Sequence, residues 1–135
     1  MNTWSGIPDR RPHQCECPVQ ASWADDAFPR AAEIMRYTYR DWSDPDLARF
    51  QNMLTTQFLP SLIHGTCENG NKQLTMSEAL INIVVFSGNR TAFEHGLKMW
   101  RGRAPTYSYL KGDGPKPVEP PGCGPSALGK QRLHA

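Results

Sequence analysis

Apolar residues recur at helical intervals through the middle of the chain, and they divide it into four predicted helices. The first runs from about Asp25 to Asp41, with Phe28, Ala31, Ala32, Met35 and Tyr39 as its spaced apolar positions. Asp25 and Asp26 suit a helix N-terminus, where carboxylates meet the positive end of the dipole, and Pro29 is tolerated in a first turn. Trp42-Ser43-Asp44-Pro45 breaks this helix and starts another. Ser43 or Asp44 can cap it, and Pro45 presets φ for its first position. Leu47, Phe50, Met53 or Leu54, and Phe58 carry the second helix to about Leu62, with Pro60 weakening or kinking its last turn.

A polar connection from His64 to Gln73 separates the two halves. Thr75 and Glu78 then fit a capping box, which predicts the start of the third helix. Leu80 to Phe86 is almost continuously apolar, a pattern that implies burial on most sides. Ser87-Gly88-Asn89 ends this helix and caps the fourth. Phe93, Leu97 and Trp100 follow at i, i+4 and i+7, and Pro105 predicts an end near Ala104. Helices joined by such short turns lie antiparallel, so the expected fold is all-α, built of antiparallel helical hairpins.

The ends of the chain read differently. Residues 1–22 hold Pro8, Pro12 and Pro18 without periodicity and are expected to form an irregular arm. Residues 111–135 are rich in Pro and Gly and are expected to be an extended tail, with Pro115, Pro117, Pro120 and Pro121 favouring polyproline conformations. The helical segment between them spans residues 23–110.

Composition narrows the function classes. The chain has 15 Lys and Arg against 13 Asp and Glu, which gives no electrostatic reason to expect nucleic acid. The third and fourth helices can be mistaken for a helix-turn-helix, but the near-neutral charge and the very apolar third helix argue against that. No apolar run approaches the roughly 20 residues of a membrane span. The first 22 residues lack the apolar core of a secretory signal, so none is visible in this chain. Cys15, Cys17, Cys67 and Cys123 allow three disulfide pairings, of which Cys15 with Cys17 is geometrically awkward. The pairing and the redox compartment stay open. Cys15-Glu16-Cys17, with His13, is at most half a metal site and lacks a second spaced pair; two ordinary cysteines in an arm are the plainer reading. No metal and no cofactor are expected.

Three segments carry a resemblance. They are Asn69-Gly70-Asn71 with Leu74-Thr75-Met76-Ser77-Glu78-Ala79-Leu80, then Phe93 through Trp100-Arg101-Gly102-Arg103-Ala104-Pro105-Thr106-Tyr107-Ser108-Tyr109-Leu110, then Asp113-Gly114 with Pro120-Pro121-Gly122. In this order and spacing they resemble the alginate-lyase-like polysaccharide lyase domain over roughly residues 23–122, which is part of such a domain. Where that family usually has Trp and an acidic residue after the Asn-Gly-Asn motif, Lys72 and Gln73 stand here. The resemblance implies a fragment of an (α/α) toroid, a secreted or periplasmic protein, and β-elimination on an acidic, uronic-acid-containing polysaccharide.

That reaction has three requirements. The substrate carboxylate must be neutralised, a base must remove the adjacent proton, and an acid must protonate the departing oxygen. Asn69 and Asn71 are candidates for neutralising or orienting the carboxylate, ahead of a helix N-terminus that itself favours anions. Their plainer reading is a turn of residues that tolerate left-handed φ. His64 is a candidate base, or simply a loop histidine. Arg101, with Arg103, can bind an acidic polymer, or merely place cations at a helix C-terminus. Tyr107 and Tyr109 can face a groove or pack. His95 carries no expected role. The alternative is a non-catalytic helical module that binds an acidic glycan or a protein partner. Asn89-Arg90-Thr91 matches the N-glycosylation acceptor pattern, although Asn89 already has a role as a cap.

Overall fold

The computed structural model describes residues 17–68, 70–108, 110–116 and 119–123. Every regular element among them is helical: α1 (Cys17–Thr38), α2 (Asp44–Met53), a π turn (Leu54–Phe58), α3 (Leu59–Leu62), α4 (Gly70–Ser87) and α5 (Arg90–Tyr107). A short 3-10 turn, Lys111–Asp113, follows.

α1 begins eight residues before the expected Asp25. Its buried face is Val19, Ser22, Asp25, Pro29 and Ala32, spaced i, i+3, i+6, i+10, i+13. Two of these five are polar and one is proline, so the apolar pattern marks the face poorly. The apolar residues expected to form it point mostly elsewhere: Phe28 and Tyr39 are about half exposed, and Ala31 is exposed. Asp25 and Asp26 therefore lie inside the helix rather than at its start.

Ser43 caps α2, its Oγ accepting from the Asp46 N–H at 3.3 Å. α2, the π turn and α3 form one nearly continuous rod. Pro60 explains the π turn: it has no N–H to give, and its ring crowds the carbonyl four residues back. The Leu59 N–H reaches Leu54 O instead, five residues back. Met53 and Leu54 are both buried.

α4 is the central element. It starts at Gly70, so the Thr75–Glu78 pair lies in its interior and is not a capping box. Glu78 instead forms an ion pair with Arg30 of α1. Ala79, Leu80, Ile83, Val84 and Phe86 are buried, as the apolar run predicts, while Val85 is exposed. α1 packs chiefly on α4 and runs in the same direction, meeting it at Arg30–Glu78 and, at the C-terminal ends, Arg36–Phe86. α2 and α3 run the other way, from Phe50 beside Phe86 to the loop beside Gln73. α5 is antiparallel to α4, the expected hairpin. Gly96 is the close approach of this pair: a Cβ there would sit 3.3 Å from Leu80 and Ile81 side-chain carbons.

Gly88, with φ +70°, makes the turn out of α4. Asn89 caps α5, its Oδ1 accepting from the Ala92 N–H at 3.0 Å. α5 continues to Tyr107, with Pro105 inside its last turn rather than after its end. The segment beyond α5 is not simply extended. Asp113 accepts from the Leu110 N–H at 2.8 Å, and the chain then returns to α5. Pro120 is fully buried, and the Pro121 ring lies against Gly102, 3.2 Å from where a Cβ would be. A disulfide joins Cys123 to Cys67.

Candidate functional site

The N-terminal end of α4 gathers most of the buried polar chemistry. Gly65, with φ +63°, reverses the chain after α3 so tightly that a Cβ would collide with Gln73 and Met99. The reversal brings Thr66 over the first turns of α4. Gln73 is fully buried, and its Oε1 accepts from the Thr66 N–H at 2.6 Å. Its Nε2 donates to Ser77 Oγ at 2.8 Å, and Ser77 Oγ donates to Gln73 O at 2.9 Å. Arg103, 7% exposed, donates from Nη1 to Thr66 O at 2.6 Å and lies 3.5 Å from Gln73 Oε1. A buried guanidinium without such acceptors would be strongly unfavourable. Cys67, next to Thr66, is stapled to Cys123. His95 Nε2 lies 2.8 Å from Ile63 O, which ties α5 to the end of α3.

Three of the predicted site residues, Asn71, His64 and Tyr107, lie towards this end. Asn71 is exposed in the first turn of α4, and its Oδ1 accepts from the Lys72 N–H at 2.8 Å. His64 is exposed in the turn after α3. The Tyr107 ring covers Gly70 so closely that a Cβ would come within 2.8 Å of it. The Tyr107 hydroxyl is buried with no hydrogen-bond partner among the described residues, as is Thr106 Oγ1. Arg101 is exposed and lies about 200° around α5 from Arg103, so it does not join the buried cluster. Asn69 and Tyr109 lie outside the described residues, as do the side chains of His13, Cys15 and Cys17. Among the described residues no three potential metal ligands cluster. No helix among them is long and apolar enough to cross a membrane.

Asp25 is a second unusual group. Both its oxygens are buried and without partners among the described residues, and burial pushes its carboxyl up to about 8. It sits five residues before Arg30, towards the same end of the bundle. The sequence pattern for a helix N-terminus hides this role, because an acidic residue is expected there on other grounds.

A separate hollow of about 420 Å3 lies between α4 and α5, lined by Leu74, Glu78, Ile81, Asn82, Leu97 and Trp100. Trp100 is 45% exposed at its rim. Asn82 Nδ2 donates to Asp26 Oδ1 at 2.9 Å, and Arg30 bridges Asp26 and Glu78. Arg30 thus leaves this rim with one uncompensated negative charge among the three groups, a poor match to an anionic polymer.

No family model matches the chain, and neither a curated protein nor a solved structure matches it, so the site rests on its own geometry.

Proposed function

We propose that the chain is an alginate-lyase-like segment acting by β-elimination on an acidic, uronic-acid-containing polysaccharide, with the N-terminal end of α4 as its site. The observation that supports this reading is the exposed first turn of α4, which carries Asn71 and has the Tyr107 ring packed on Gly70, with the exposed His64 in the turn that leads into this end of the bundle. The first N–H groups of an 18-residue helix favour an anion such as a uronate carboxylate. With its Oδ1 engaged, Asn71 has Nδ2 donors without a partner among the described residues, available to that carboxylate. His64 supplies an exposed imidazole as the candidate base. Tyr107 contributes its ring, which seats the start of α4, because its hydroxyl is covered. Arg101 adds positive charge along α5 for the polymer. The Cys67–Cys123 disulfide supports a secreted or periplasmic setting, since such bonds persist in oxidising compartments.

A second reading is a non-catalytic helical module that binds the glycan, or a protein partner, without cleaving it. Arg103 is consumed internally and the Tyr107 hydroxyl is buried, so neither is open to protonate the leaving oxygen. Incubation with a panel of polyuronates separates the two. Lyase action gives a rise in ultraviolet absorbance from unsaturated uronide ends, abolished by His64→Ala. Saturable binding without that rise supports the module. Neither cleavage nor binding, with folded protein, overturns both.

A further inference from the structure

We propose that Asn89 is an acceptor for an N-linked glycan. Asn89-Arg90-Thr91 is the one Asn-x-Ser/Thr triplet in the chain. Its position in the fold removes the competition between capping and modification. Asn89 is exposed, and its cap uses Oδ1, which accepts from the Ala92 N–H. Glycan attachment uses the other amide atom, Nδ2, which has no partner among the described residues. The cap can therefore persist in the modified protein. Thr91 is also exposed. Gly88 precedes the triplet, and a Cβ placed on it would meet nothing within 4 Å, so the turn stands clear of the bundle.

The surroundings suit a first sugar. On one side of Asn89 a hollow of about 180 Å3 is walled by Val85 and Phe93, and Val85 is 59% exposed. A sugar ring set there covers apolar surface that the bundle leaves open. On the other side Gln51 and Asn52 line a polar hollow that can meet sugar hydroxyl groups. The site is also remote from the proposed polysaccharide site. The two lie at opposite ends of α4, which spans 18 residues, or about 27 Å. A glycan at Asn89 leaves the Asn71 end open.

The co-reactant is a lipid-pyrophosphate-linked oligosaccharide supplied with its transferase in the secretory pathway. The anomeric carbon–oxygen bond to the lipid pyrophosphate breaks, a bond from that carbon to Nδ2 forms, and one amide proton is lost. The inference shares the secreted setting with the proposed function, and the Cys67–Cys123 disulfide is an independent sign of an oxidising lumen.

The test is the full chain expressed behind a secretory leader in a eukaryotic host. Intact mass is read before and after treatment with an amidase that releases N-glycans. Most molecules are expected to lose a glycan mass and to carry aspartate at position 89. Asn89→Asp keeps a capping oxygen, and Thr91→Ala keeps Asn89 itself; both are expected to reduce occupancy to none while the helical circular dichroism persists. Disulfide-bonded wild-type chain at the bare peptide mass overturns the proposal. Protein retained inside the cell is read identically from the lumenal fraction, because transfer precedes export. Retention with a glycan thus counts against secretion alone.

Discussion

The two ends of α4 are held by different physics. At its C-terminal end the contacts are apolar and aromatic. Trp42, Phe50 and Phe86 stack edge to face at 5.9 Å, and the Arg36 guanidinium sits 4.6 Å from the Phe86 ring centre. Arg36 Nη2 and Gln51 Nε2 also donate to the last carbonyls of the helix, Phe86 O and Ser87 O. At the N-terminal end the contacts are directional. Gln73, Ser77, Thr66 and Arg103 satisfy one another, and a disulfide closes over them. Burial tolerates small changes of shape, whereas a buried polar network fails when one member is lost. The first kind of end makes a scaffold. The second fixes the backbone of a surface turn, which a ligand-binding site needs.

Four perturbations sharpen or break this contrast, in order of expected size. The largest is pH. The Asp25 carboxyl has an ordinary value of 3.8, raised in the folded protein to about 8. The folded state therefore holds a proton that the unfolded state releases, and stability falls as pH rises from about 4 to about 8, then levels. The full effect is on the order of 5 kcal/mol. Denaturation across this range checks it, and Asp25→Asn is expected to remove this contribution to the slope. At the apolar end, Phe86→Ala is expected to cost about 3–5 kcal/mol in the same assay, while the exposed Val85→Ala changes little. Reduction of Cys67–Cys123 is expected to cost about 2–4 kcal/mol. The accompanying loss of hydrogen-exchange protection is expected to be confined to residues 64–73 and 101–123. Spread of that loss to residues 84–93 would remove the distinction between the ends. Gln73→Ala is expected to cost about 1–3 kcal/mol, because it strands the Thr66 N–H.

The apolar end is largely legible in the chain. Leu80–Phe86 reads as a buried helix, Ser43 or Asp44 and then Asn89 read as caps, and the structure has Ser43 and Asn89 in those places. The all-α class follows from these. The polar end is not legible, for physical reasons. A buried Gln or Arg looks in sequence like a surface residue, since only its partners reveal the burial. Gln73 stands out solely as a departure from a family pattern, and Arg103 as one of two surface cations. The stripe Ser22–Asp25–Pro29–Ala32 escapes for the same reason, which sets the expected start of α1 too late. The Cys67–Cys123 pairing depends on the return of residues 119–123 to α5, which no local signal encodes. His64, Asn71 and Tyr107 are candidates from sequence, and the fold brings them to one end. The burial of the Tyr107 hydroxyl is beyond sequence reading.

The central claim is that the N-terminal end of α4 is the working surface and the C-terminal end is scaffold. Backbone amide NMR shifts during titration with a polyuronate test it directly. Saturable shifts clustered in residues 64–73 and 101–107, and weakened by Asn71→Ala, are predicted. Shifts confined to residues 84–93, or no shifts at saturating polymer, would contradict it.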